Sequence, residues 1–152
     1  MENKFIVGQI IQKKKSELYL VAFATLYDNI ATDPNSIKNY TLDTPAIIGR
    51  TSDLFFKFRR WTVIGNAEIK ADSSFFPNYK IETLEGVFIT TFDRQVIRKA
   101  SKAEEDFYFF YSQVSPAWFV GAVKAFHGYQ NLDHDYIKLT YDYVRQRSNA
   151  MN

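Results

Sequence analysis

Leu18 to Asp28 reads LYLVAFATLYD. Apolar side chains occupy odd and even positions alike, so a strand here has no face left for water and is expected at the centre of a sheet. Upstream, KKKSE (Lys13 to Glu17) is polar enough for a hairpin tip, and FIVGQIIQ (Phe5 to Gln12) supplies the partner strand, interrupted at Gly8. Downstream, residues 28–53 hold two prolines and many Asn, Asp, Ser and Thr residues, with little periodicity. A long excursion is expected, with at most a short helix or strand, Ala46 to Ile48 being the best candidate. Long loops in compact domains are commonly functional, which makes this one a candidate contact surface.

Leu54 to Lys70 reads LFFKFRRWTVIGNAEIK. Phe56, Phe58 and Arg60 alternate with Phe55, Lys57 and Arg59, the period of a strand, and if one face is solvated Phe56 and Phe58 point inward. Trp61 to Ile64 continues extended, Gly65-Asn66 marks a turn or bulge, and Ala67 to Lys70 forms a short strand. Turns are expected at Pro77-Asn78 and Glu85-Gly86, with VFITTF (Val87 to Phe92) as a strand between the second turn and Asp93. Asp93 to Lys102 reads as a loop or short amphipathic helix, and Phe107 to Tyr111 as a strand.

Ser115-Pro116 is a helix start, with serine as the cap and proline in the first turn. That helix stops at Gly128 and packs Phe119, Ala122, Val123 and Phe126 into a core. Asp133 to Arg147 has acids in its first turn and arginines in its last, and reads as a second helix with Tyr136, Ile137, Thr140, Tyr141 and Val144 on one face. The expected fold is α+β in one domain spanning 1–152. A twisted, mainly antiparallel sheet or partly open β-barrel comes from the β-rich part, 1–111, and two C-terminal helices from 115–147.

The chain has 152 residues, of which 26 are aromatic and none is cysteine. A chain of this length buries about 70% of its unfolded surface, and its rings supply the apolar area that disordered chains lack. Disulfides, thiolate zinc sites and cysteine nucleophiles are excluded. Nineteen basic against seventeen acidic residues give a formal +2, spread over both halves without a polyanion-binding stripe. The opening MENKFIVGQII lacks a signal-peptide pattern, and the longest apolar stretch is about ten residues, too short for a bilayer. A soluble, cytoplasmic protein without membrane partners is expected.

Chemistry is sparse. The two histidines, His127 and His134, fall at a helix end and a helix start, without HxH or HxxxH spacing, so no metal or other cofactor is expected. A small enzyme centred on them is the weakest alternative. There is no GxSxG elbow, and no two glycines lie within four residues of each other, as a phosphate-cradling loop requires. Glu104, Glu105 and Asp106 are adjacent and read as solvated charge rather than an acid/base pair. Lys57, Arg59, Arg60 and Trp61 are the best nucleic-acid signal, since arginines and rings on a strand neutralise phosphates and stack bases. Inward-facing phenylalanines and a solvated lysine turn are the plainer readings, and nucleic-acid binding is kept only as the alternative.

Phe58 to Ile69, FRRWTVIGNAEI, resembles the most recognisable segment of the immunity protein 26 family. The similar features are the arginine–Trp61 pair, the Val63-Ile64-Gly65-Asn66 turn with a short strand after it, and the later Phe76-Pro77. Gly8 in a first strand and LYLVAFATLYD ending at an aspartate are compatible with the same pattern. The resemblance covers roughly residues 5–90 and does not extend to the tail after about Ser101. It implies a largely β fold and a role as a non-enzymatic antidote that binds a cognate toxin domain encoded beside it in bacteria. It carries over no catalytic residue.

Such an interface is enriched in Tyr, Trp and Arg. The candidate partner-binding residues are Arg59, Arg60 and Trp61, with Tyr129, Tyr136 and Tyr143, because the tyrosine-rich final helix cannot bury all its rings.

Overall fold

The computed structural model describes residues 4–69 and 75–149. Its first half runs β1 (Phe5–Lys14), β2 (Glu17–Tyr27), α1 (Pro34–Tyr40), β3 (Pro45–Ser52) and α2 (Leu54–Lys57). There follow β4 (Tyr79–Thr83), β5 (Gly86–Thr90), β6 (Val96–Lys99) and α3 (Lys102–Phe107), then α4 (Pro116–Phe126), α5 (His134–Ile137) and α6 (Tyr141–Asn149). Two three-stranded antiparallel sheets, β1-β2-β3 and β4-β5-β6, give an α+β fold, and neither sheet closes into a barrel. No helix among the described residues is long and apolar enough to cross a membrane.

The chain divides into two compact units, one of Met1–Lys70 with Gln113–Tyr141 and the other of Ala71–Ser112 with Asp142–Asn152. In the first, β2 is the central strand, as its two-sided apolar pattern requires, and Leu18 through Phe23 are all buried. The tip between β1 and β2 is the pair Lys15-Ser16, with Lys15 in the left-handed region at φ 56°. The excursion after β2 is more ordered than its composition suggests. Asp33 caps α1 by accepting from the N–H groups of Asn35 and Ser36, with Pro34 in the first turn, and β3 extends well beyond Ala46–Ile48.

The outer edge of β3 is closed rather than open. The Ile48 N–H donates to the Leu139 carbonyl at 2.9 Å, and the Val114 N–H donates to the Arg50 carbonyl at 3.0 Å. This pairing breaks the helix expected over Asp133 to Arg147: the chain leaves α5 at Lys138, bridges β3 at Thr140 opposite Ile47, and restarts as α6. A buried strand edge must be satisfied, and that requirement outweighs the continuity of a helix carrying three tyrosines and a threonine. On the sheet, Leu20, Ala22, Ala46 and Ile47 form one core with Phe119, Ala122 and Val123 of α4. Phe126, expected in that core, is 39% exposed at the helix end.

The second unit holds the meander β4-β5-β6. Asp93 to Lys102 is neither loop nor helix over its middle, since Val96–Lys99 pairs with β5 through a register irregularity. The acidic triplet lies in α3, where Ser101 and Glu104 form a reciprocal capping box. Only part of Phe107 to Tyr111 is strand-like: the Lys80 N–H donates to the Phe109 carbonyl and the Tyr111 N–H to the Lys80 carbonyl, running along β4. The Asn78 N–H donates to Ser148 Oγ at 2.7 Å and the Tyr108 hydroxyl to the Ser148 carbonyl at 3.1 Å, anchoring α6 in this unit.

Candidate interaction surface

The stretch from Asp53 to Ile69 does not alternate as a strand. The Lys57 N–H donates to the Asp53 carbonyl and the Phe58 N–H to the Leu54 carbonyl, a single helical turn. The Phe55 carbonyl then accepts from both Arg60 and Trp61 N–H groups, at 2.8 and 3.1 Å, curling the chain back on itself. Trp61 decides this geometry. Its ring meets Phe55 and Phe56 edge-on at 5.3 and 5.5 Å, and Phe119 of the core at 6.3 Å. A strand would send neighbouring phenylalanines to opposite faces; the helical turn lets both pack on one indole, a gain of aromatic contact the alternation does not offer.

The consequence is an inversion of the expected faces. Phe58, expected inward, is 65% exposed. Arg59 and Arg60 are exposed as well; Arg59 adopts φ 54°, and the Arg60 guanidinium lies 5.1 Å from the centre of the Phe55 ring. Trp61 itself is half-buried, an anchor more than a contact. The chain from Trp61 to Ile69 is irregular, so the described part of the expected Ala67 to Lys70 strand is absent, and Lys70 lies outside the described residues. It is held by the Gln9 side chain, which donates to the Ala67 carbonyl at 3.1 Å, and by Gly65, where a Cβ would stand 2.3 Å from the Ile37 side chain of α1.

The two basic stretches of the sequence, separated by about forty positions, meet at this end of the sheet. The Asp53 N–H donates to the Ser16 carbonyl at 2.9 Å, tying α2 to the β1–β2 tip. The Asp53 carboxylate then lies 3.0 Å from Lys57 Nζ and 3.6 Å from Lys13 Nζ. The hydrogen bond from Lys57 is the main reason its carboxyl is held below the ordinary aspartate range. Beside it, Arg50 donates to Glu17 at 2.6 Å. Lys13, Lys14, Lys15, Lys57, Arg59 and Arg60 are all exposed. Each basic run is visible in the sequence; their meeting is not, because it depends on one long-range backbone hydrogen bond.

The tyrosines divide. Tyr129 is 47% exposed just beyond α4. Tyr136 is half-buried and spoken for: it stacks on Trp118 at 4.9 Å, and its hydroxyl lies where a Cβ on Gly121 would come within 2.6 Å. Tyr141 is buried. Tyr143 belongs to the second unit, where it packs on Phe109 at 5.3 Å with Arg147 beside it. The structure therefore brings Arg59, Arg60 and Trp61 into one element and places Tyr143 in a different unit.

The two histidines stand at a helix end and a helix start, where the sequence places them. His127 caps the end of α4 with a buried, unpartnered Nε2, and burial pushes its imidazole below the ordinary range. His134 opens α5, largely exposed. Among the described residues no group of three or more His, Asp or Glu side chains is placed to hold a metal. Glu104, far from solvated, is buried: Arg98 donates to both its oxygens, the Ser101 N–H donates at 2.8 Å, and these hold its carboxyl at about 2. No family model, no curated protein and no solved structure matches the chain.

Proposed function

We propose that the chain is an immunity-type binding protein that neutralises a cognate bacterial toxin domain by stoichiometric association in the cytoplasm. The observation that carries the reading is the Trp61-anchored turn. Within the segment that resembles the immunity protein 26 family, Phe58, Arg59 and Arg60 project outward from a turn fixed by three ring contacts. Aromatic and arginine side chains dominate interface energetics, and a preformed turn loses little conformational entropy when it docks. The chemistry asked of the chain is occlusion alone, with no covalent step.

The alternative of nucleic-acid binding through a Lys57, Arg59, Arg60 and Trp61 strand has less support. That strand is a helical turn, and the Trp61 ring is engaged with three other rings rather than offered for base stacking. The test is co-expression with the C-terminal domain of a large secreted protein encoded beside this chain. Co-purification at one-to-one stoichiometry and relief of toxicity are expected; a toxic domain that neither binds nor is neutralised contradicts the proposal.

A further inference from the structure

We infer that the end of the first sheet formed by the β1–β2 tip and α2 is a docking site for an acidic protein face, an inference that rests on the binding-protein reading and assigns the partner's chemistry. Six exposed cations gather there: Lys13, Lys14 and Lys15 from the tip, and Lys57, Arg59 and Arg60 from the turn after β3. Asp53 lies between Lys13 and Lys57, and Glu17 faces Arg50. With those six and Asp53 set aside, the rest of the chain has thirteen basic and sixteen acidic residues. Within the first unit the positive charge is thus carried by this end, the unit's other described residues numbering five basic and seven acidic. Such a field attracts an opposite surface and orients it on approach.

Backbone conformation supports the same assignment. The described non-glycine residues at positive φ are Lys15, Arg59 and Arg94, and two of these three are cations of this cluster. Glycine or asparagine adopts that region at lower cost. Both turns therefore carry a long cation where the backbone favours a smaller residue, as expected when the side chain is needed for contact.

An acidic protein fits better than a nucleic acid. Leu54 is 43% exposed, and its carbonyl accepts from the Phe58 N–H, so the two apolar side chains stand one helical turn apart among the cations. An apolar centre with a charged rim is the anatomy of a protein interface. Phe58 offers a single ring to a base, while Leu54 beside it stacks none and the Trp61 indole is packed against the core, so the successive stacking platform of a nucleic-acid groove is not formed by these residues.

The experiment uses the full chain and two anionic probes of matched length and charge, a glutamate-rich peptide with interspersed leucines and an oligouridylate RNA, each titrated at low and physiological ionic strength. The expected result is binding of the peptide that weakens with salt and falls about tenfold in each of K14E/K15E and R59E/R60E, with a smaller loss in Phe58→Ser. Retained thermal unfolding shows that these exposed variants still fold. Tighter binding of the RNA overturns the assignment in favour of a nucleic acid, and peptide binding unchanged in both charge-reversed variants, or absent, overturns the site. A toxin domain that still co-purifies with both variants removes this surface while leaving the binding-protein reading standing; loss of co-purification in the unmodified chain removes that reading instead.

Discussion

The backbone N–H of Asp53 donates to the carbonyl of Ser16 across 2.9 Å, joining the end of the third strand to the first hairpin tip. Through it, two lysine- and arginine-rich stretches that are remote in sequence share one carboxylate. Asp53→Ala keeps the backbone bond and removes the carboxylate, leaving Lys13 and Lys57 without their common counter-ion. Amide hydrogen exchange at Phe56 and Lys57 is expected to accelerate, more at low salt than at high. The same loosening is expected in the unmodified chain on acidification: the carboxyl is depressed, so its contribution is complete above the ordinary value of 3.8 and is lost as the pH falls below it. Exchange at these amides that is indifferent to both changes contradicts the role given to Asp53.

Trp61 holds the exposed turn in place. Trp61→Ala removes a half-buried indole that contacts Phe55, Phe56 and Phe119, and is expected to cost about 2–3 kcal/mol, below the range for a fully buried ring. Urea denaturation measures it. Trp61→Phe retains part of the ring contact and is expected to cost less. A loss under about 0.5 kcal/mol for the alanine variant, the range of ordinary surface substitutions, contradicts the anchor.

Gly121 is the close-approach point between α4 and Tyr136. A Cβ there meets the Tyr136 hydroxyl at 2.6 Å and its ring carbons at 2.9 Å, so Gly121→Ala must displace the ring from Trp118. The expected cost is about 1–3 kcal/mol, despite the better helix propensity of alanine. A changed tryptophan fluorescence spectrum is the direct readout, and an unchanged spectrum with raised stability argues against the packing.

In the second unit, Glu104 links β6 to the start of α3. Its folded pKa, about 2, lies below the ordinary 4.5, so the stability it supplies is present above pH 4.5 and drains away as the pH falls toward 2. Glu104→Ala breaks the Arg98 pair and the capping box together, at an expected cost of about 1–2 kcal/mol near neutrality. Thermal melts from pH 7 to 2.5 are expected to converge with those of the unmodified chain at the acid end. Parallel curves across the range contradict the assignment.

Legibility in the sequence follows the range of the deciding interaction. The central strand, the lysine hairpin tip, the Ser115 cap and the stop at Gly128 are local patterns, and each stands where it was expected. The helix break at Lys138 to Thr140 was not legible, because it is set by an edge of β3 about ninety positions away. At Phe55 to Phe58 the aromatic alternation fits a strand well, and only the shared contact with Trp61 turns it into a helix. That reversal also moved Phe58 from the expected core to the surface, which is why the candidate site gained a residue that periodicity had assigned elsewhere. Glu104 was hidden for a related reason: its partner Arg98 lay in a segment whose strand pairing with β5 has no clear period.

The most direct test is a calorimetric titration of the toxin domain proposed as partner with the unmodified chain and with a variant carrying F58S, R59E and R60E. A one-to-one, salt-sensitive complex is expected with the unmodified chain, and affinity lower by at least about tenfold in the variant, whose thermal unfolding is unchanged. Equal affinity for both proteins contradicts the assigned surface, and an active toxin domain that binds neither contradicts the function.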